Sequence, residues 1–149
     1  MPRTEEAEIW FSSVYTLVQL IPPGRVTSYG HIAALLGEPK RPRQVGIALK
    51  HLPAADSGQF FHAGNVPWQR VVNARGMISH RGPGSAARQA ERLSDEGVTI
   101  DSDSMGEFYV DFGAFGWFPA EIEMPEGVVE GDEDEDESGD RSEESRRAW

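Results

Sequence analysis

The chain of 149 residues contains no cysteine. That absence removes disulfides, thiolate metal sites and thiol nucleophiles together, and it suits a reducing compartment. Histidine is also sparse. His31, His51, His62 and His80 form no HExxH or HxxxH spacing, so neither a metal nor a cofactor is expected. No apolar run approaches the ~20 residues of a membrane span, and the opening "MPRTEEAEIW" lacks the apolar stretch of a signal peptide. These absences predict a soluble intracellular protein, nuclear in a eukaryotic cell and cytoplasmic otherwise. No Ser/His/Asp arrangement suggests a hydrolase, and the "DFG" at 111–113 stands without any other kinase signature. No catalytic residue is therefore expected.

Acidic residues are scarce in one region. Between 25 and 92 only Glu38, Asp56 and Glu91 stand against ten Lys and Arg, a net of +7. The overall net charge of −11 conceals this, because residues 121–149 hold 13 acids and 3 bases. A basic middle beside an acidic end suggests a nucleic-acid partner; an ordinary solvated face is the alternative. The acidic stretch is too poor in apolar residues to bury a core. The expected organisation is one folded domain over 1–120 and a disordered acidic tail over 121–149. The tail would be a solubilising extension, a screen for the basic surface, or a partner contact.

In "EEAEIWFSSVYTLVQLI", Trp10, Val14, Leu17, Val18 and Ile21 recur at helical spacing, acids fill the first turn, and "PPG" ends the run. Two short helices follow. The first starts at a Thr27/Ser28 cap and ends at Gly37; the second starts near Pro42 and ends before Pro53. Joined by the short "GEPKR", they have helix-turn-helix anatomy. In the second helix Val45, Ala48, Leu49 and Leu52 form an inward face, and Arg43, Gly46, Ile47 and Lys50 the other. Glycine within a helix costs ~1 kcal/mol against alanine. Gly46 therefore marks either a close helix–helix contact or a face that a partner's backbone approaches.

Residues 53–66 read as a long irregular loop carrying Phe60 and Phe61. From Arg70, "RVVNARGMIS" reads as strand, turn at Asn73–Gly76, and strand, a hairpin in the place of a wing. After "HRGPGS", a helix from Ser85 to Glu96 turns Ala90 and Leu93 inward and ends at Gly97. "VTI" and "EFYVDF" are candidate short strands. The fold class expected is α+β and mostly helical: a winged-helix domain with a helix-turn-helix and a small β-hairpin wing. Trp68, in "GNVPWQRVV", is too large to sit casually at a Pro-led strand entry, so it either anchors a core or lines a site.

Taken in order, "VTSYGHIAALLG", "RQVGIALKHLP", "VPWQRVVNARGMIS" and "RLSDEGV" resemble the DNA-binding domain of the O6-alkylguanine-DNA alkyltransferases over about residues 7–110. The transferases have Pro-Cys-His-Arg where this chain has Pro67-Trp68-Gln69-Arg70, the cysteine taking the alkyl group. The sequence is thus similar to the alkyltransferase-like proteins, which carry another residue there, bind alkylated guanine without repairing it and pass it to nucleotide excision repair.

That resemblance implies a partner, double-stranded DNA containing O6-alkylguanine, and site residues for a monomeric, non-enzymatic binder. Arg43 matches the arginine that fills the gap left by a flipped base, and its planar cation suits stacking. Tyr29 matches the tyrosine that crowds the backbone phosphate, with Thr27 and Ser28 beside it; a half-buried Tyr at a helix start is the alternative. Gly46 and Lys50 would meet the minor-groove wall and phosphates. Pro67, Trp68, Arg81 and Ser85 would form the lesion pocket. Trp68 would offer its surface to the alkyl group, and Arg81 would face the guanine or, alternatively, a phosphate at the wing tip. Arg70 and Glu96 are expected as a buried structural pair. Gln69 replaces the transferases' histidine, the base that Glu96's counterpart orients. The longer 53–66 loop and the acidic tail also depart from the family pattern. A sequence-specific winged-helix transcription regulator is the rival reading, though it gives Trp68 and Gly46 no purpose.

Overall fold

The computed structural model describes residues 4–124. Thr4 caps α1 (Glu5–Val18): its hydroxyl accepts from the Ala7 amide at 3.1 Å, and Glu5, Glu6 and Glu8 complement the positive end of the helix. Trp10, Val14, Leu17, Val18 and Ile21 are buried as their spacing requires. Two long-range bonds fasten α1 to α3 (Pro42–Lys50). Trp10 Nε1 donates to the Gln44 carbonyl at 3.2 Å, and the Tyr15 hydroxyl donates to the Ala48 carbonyl at 2.6 Å.

The helix-turn-helix is present. Strand β1 (Thr27–Ser28) leads straight into α2 (Tyr29–Leu35), with Ser28 as the cap that accepts from the His31 amide at 3.0 Å. Helix α3 opens with Pro42, whose missing N–H costs nothing in a first turn. Val45, Ala48 and Leu49 face inward and share a core cluster with α1, Ile32 and Ala33.

The wing is built differently from the expected hairpin. Trp68–Arg70 form a single 3-10 turn, and β2 (Val71–Val72) then pairs in parallel with β1, Thr27 opposite Val71. The reversal at Asn73–Gly76 stands where the sequence places it, with the Asn73 amide donating to the Met77 carbonyl at 3.0 Å. Beyond it, Met77 bridges to Tyr109 and the Ile78 amide donates to Phe108. The two arms of the turn thus find their strand partners elsewhere in the chain. Gly76 is needed there: its φ is +83°, and a Cβ would stand 2.3 Å from the Val110 carbonyl oxygen.

Helix α4 (Ser85–Asp95) buries Ala86, Gln89, Ala90 and Leu93 against a second cluster that includes Val26, Val72, Ile78, Val98 and Val110. A short antiparallel pair, β3 (Asp101–Ser102) with β4 (Phe108–Tyr109), follows, so the first strand begins just after "VTI" rather than within it. Helix α5 (Phe112–Phe115) then sends the chain back along β1: the Val26 amide donates to the Phe115 carbonyl, and the Trp117 amide to the Val26 carbonyl. The expected tail begins at 121. Its first residues are described, with Ile122 and Met124 packed against the first core cluster; the rest of it lies outside the described residues.

Candidate nucleic-acid interface

The outer face of α3 meets the start of α2 and the Asn73–Gly76 turn in an open, largely apolar groove of about 560 Å³. Tyr29, Gly46 and Ile47 supply its surface, Arg43, Lys50 and Arg81 are its cations, and Asn73, Ala74 and Ser79 belong to its far side. No carboxylate lines it, and neither Arg43 nor Lys50 pairs with one among the described residues. Five of the ten sequence-predicted site residues therefore converge on one surface.

Gly46 lies against Tyr29. A Cβ built on Gly46 would sit 3.8 Å from the nearest Tyr29 ring atom, an ordinary contact. Alanine would fit the fold, so internal packing does not account for the glycine. Its smallness is left for whatever enters the groove.

Arg81 is held over Tyr29. Its guanidinium carbon lies 5.6 Å from the ring centroid, and its Nη2 donates to the Tyr29 hydroxyl. Ser85 sets this position from behind, because its Oγ accepts from the Arg81 amide at 2.7 Å. Thr27 and Ser28 stand back from the surface. Thr27 is fully buried, its hydroxyl unpartnered, and Ser28 spends its side chain on capping α2. Their contribution is to place Tyr29.

Two of the residues expected to form the lesion pocket line different cavities. Arg81 lines the apolar groove, whereas Pro67 lines a separate polar cavity of about 300 Å³, with Gln19, Asn65, Gln69, Arg70 and Arg92 among its other residues. Trp68 lies outside both linings. It is half-buried against the first core cluster, and the Arg92 guanidinium carbon is 5.4 Å from its ring centroid. Trp68 thus anchors the core and keeps part of its surface exposed. Arg92, stacked on Trp68 from α4, is a candidate that sequence reasoning missed. Helical spacing signals only that it is exposed, not that its ring partner lies beside it.

At the end of α4, Glu96 gathers four N–H donors. It accepts from Gln69 Nε2 at 2.6 Å, from the Gly24 amide at 2.9 Å, and from Arg70 through Nε at 3.0 Å and Nη2 at 3.0 Å. Arg70 Nη1 also donates to the Ile21 carbonyl at 2.8 Å, so the cluster ties the end of α1 to α4. Burial works against the Glu96 carboxylate. The hydrogen bonds from Arg70, the Gly24 amide and Gln69 outweigh it and hold its pKa below the ordinary glutamate value. The expected Arg70–Glu96 pair is present, with Gln69 as a third member. Among the described residues no three His, Asp or Glu side chains are gathered as a metal site.

A family model described as "6-O-methylguanine DNA methyltransferase, DNA binding domain" matches residues 10–98. Alkyltransferase-like protein 1 of Schizosaccharomyces pombe is 40% identical over 111 residues, which is 74% of this chain and 95% of that protein. The DNA base-flipping protein of Escherichia coli is 36% identical over 115 residues, covering 77% of this chain and 79% of that one. In structure the chain resembles S. pombe Atl1 in complex with damaged DNA containing O6-carboxymethylguanine. The TM-score is 0.64 at 41% identity, over 79% of this chain and 100% of Atl1.

Proposed function

The chain belongs to the alkyltransferase-like branch of the family defined by the 6-O-methylguanine DNA methyltransferase DNA-binding domain, and from that premise we propose that it is a non-enzymatic reader of O6-alkylguanine in duplex DNA. The groove is the observation that carries this reading: an apolar surface, free of carboxylates among the described residues and ringed by Arg43, Lys50 and Arg81. Lys50 meets phosphate, Gly46 lets the minor-groove wall come close, and Tyr29 crowds the backbone beside the lesion. Extruding the base costs a few kcal/mol of stacking and pairing, which Arg43 offsets by stacking in its place. Arg81 then leaves Tyr29 to face the extruded guanine, and Trp68, flanked by Pro67, covers the alkyl group. Each Å² of apolar surface buried there is worth ~25 cal/mol.

The alkyl group stays on the base, since this chain has no thiol to accept it. The product of binding is then a persistent protein–DNA complex, which serves as a flag for nucleotide excision repair. Extrusion is tested by placing 2-aminopurine next to O6-methylguanine in a duplex. Its fluorescence should rise on binding as the neighbouring stack is lost. Tight binding with unchanged fluorescence would overturn the extrusion step.

A further inference from the structure

Among the described residues the groove has cations and no anion to balance them, while the chain beyond residue 124 has the opposite excess. Residues 125–149 hold 11 acids and 3 bases, a net of −8, and six of the acids are consecutive, Asp132 to Glu137. The described chain runs beside the helix-turn-helix in its last residues, up to Met124. His31, two residues along α2 from Tyr29, donates through Nε2 to the Pro119 carbonyl at 2.7 Å. Its ring meets Phe118 edge-on at 5.1 Å, and Ile122 and Met124 pack on the cluster that holds α1, α2 and α3.

We propose that the acidic run Asp132–Glu137 docks in the apolar groove against Arg43, Lys50 and Arg81, as an intramolecular competitor for DNA phosphate. Length permits it. Seven residues separate Met124 from Asp132, enough to span about 25 Å when extended, while a domain of this size has a radius of gyration of only about 14 Å. The tether also favours it, because a linked segment acts at an effective concentration in the millimolar range. A contact of sub-millimolar intrinsic strength therefore closes the groove in most molecules. Phosphate binding to such a surface is itself salt-dependent and largely indifferent to sequence, so the competitor needs charge and reach rather than a shaped motif.

The consequence for DNA rests on the groove being the DNA face; the contact itself does not. Competition of this kind lowers affinity for damaged and undamaged duplex by the same factor, because the tail must leave before either binds. Weak encounters with undamaged DNA are thereby suppressed, while the preference for the lesion is untouched.

The test compares the full chain with a full-length variant carrying Asp132→Asn, Glu133→Gln, Asp134→Asn, Glu135→Gln, Asp136→Asn and Glu137→Gln. At about 50 mM salt the variant should bind matched guanine and O6-methylguanine duplexes about five- to tenfold more tightly, the gain fading toward unity by about 300 mM. In the variant the amide resonances of Arg43, Gly46 and Lys50 should move from their positions in the full chain, and a peptide of residues 125–149 should move them back. Equal affinities of the two proteins would overturn the proposal. So would a gain in affinity with those resonances unmoved, since that is long-range repulsion without docking. A ratio of damaged to undamaged affinity near one in both proteins would instead overturn the lesion reading, with the groove resonances still upholding the tail contact.

Discussion

Gln69 donates through Nε2 to Glu96 at 2.6 Å and so holds the hydrogen bond that a base at this position would hold. An amide has no basic nitrogen, and the neighbouring residue is Trp68 rather than a thiol. On the proposed reading two parts of an alkyl-transfer site are absent side by side, and they are separable. Trp68→Cys alone should give a thiol of pKa ~8.5, only a few per cent ionised at neutral pH, and methyl transfer should be slow or undetectable. Adding Gln69→His, with Glu96 in place to orient the imidazole, should raise transfer about tenfold or more. Label passing from O6-methylguanine duplex to protein measures both. Equal rates for the single and double variants would show that Gln69 does not occupy the place of the missing base.

Glu96 links acidity to stability. Its folded-state pKa is below the ordinary value, so its contribution is complete above the unfolded pKa near ~4.3 and disappears as pH falls through the lower folded value. Urea midpoints should therefore be flat from pH 7 to about 5 and fall below that. Glu96→Gln should remove part of that acid dependence. It should also destabilise the protein by about 2 kcal/mol at pH 7, less than a fully buried pair because both side chains are 14% exposed. An unchanged acid limb in the variant would assign the acid sensitivity to other carboxylates.

Gly46→Ala separates folding from binding. The new methyl meets Tyr29 at an ordinary distance and improves helix propensity, so stability should rise by up to ~1 kcal/mol. Affinity for duplex DNA should fall, because the methyl stands in the groove. Thermal unfolding and a binding titration on the same preparation decide it. Higher stability with full affinity would remove Gly46 from the interface.

Arg43 and Lys50 are both exposed and should differ in what they lose. Lys50→Ala should weaken all duplexes alike and make the slope of log affinity against log salt shallower by about 1. Arg43→Ala should cost more on damaged than on undamaged duplex, because only the extruded state needs its stack. Neither should move stability by more than about 0.5 kcal/mol. An equal loss on both duplexes for Arg43→Ala would make it a phosphate contact.

Much of this groove is legible in the sequence because it rests on local signals. The 3.6-residue spacing of Val45, Ala48 and Leu49 placed Arg43, Gly46 and Lys50 on the opposite face of α3, where they stand. The Ser28 cap and Pro42 marked the helix starts for stereochemical reasons that need no tertiary context. The parts that escaped are long-range. A two-residue strand carries no alternation, so nothing local says that β1 pairs in parallel with β2 or that Met77 bridges to Tyr109. The Arg81–Tyr29 contact crosses 52 positions, and Arg92 over Trp68 joins two elements that only tertiary packing brings together. Thr27 reads as a polar residue at a helix start, yet its strand pairing buries it completely.

The central claim, a lesion reader without transfer, is tested most directly by titrating the protein against two duplexes identical except for guanine or O6-methylguanine at one position, then weighing protein and DNA by mass spectrometry. The expected result is clear preference for the methylated duplex, with both masses unchanged after prolonged incubation. Equal affinity for the two duplexes, or a methyl group lost from the DNA, would contradict it.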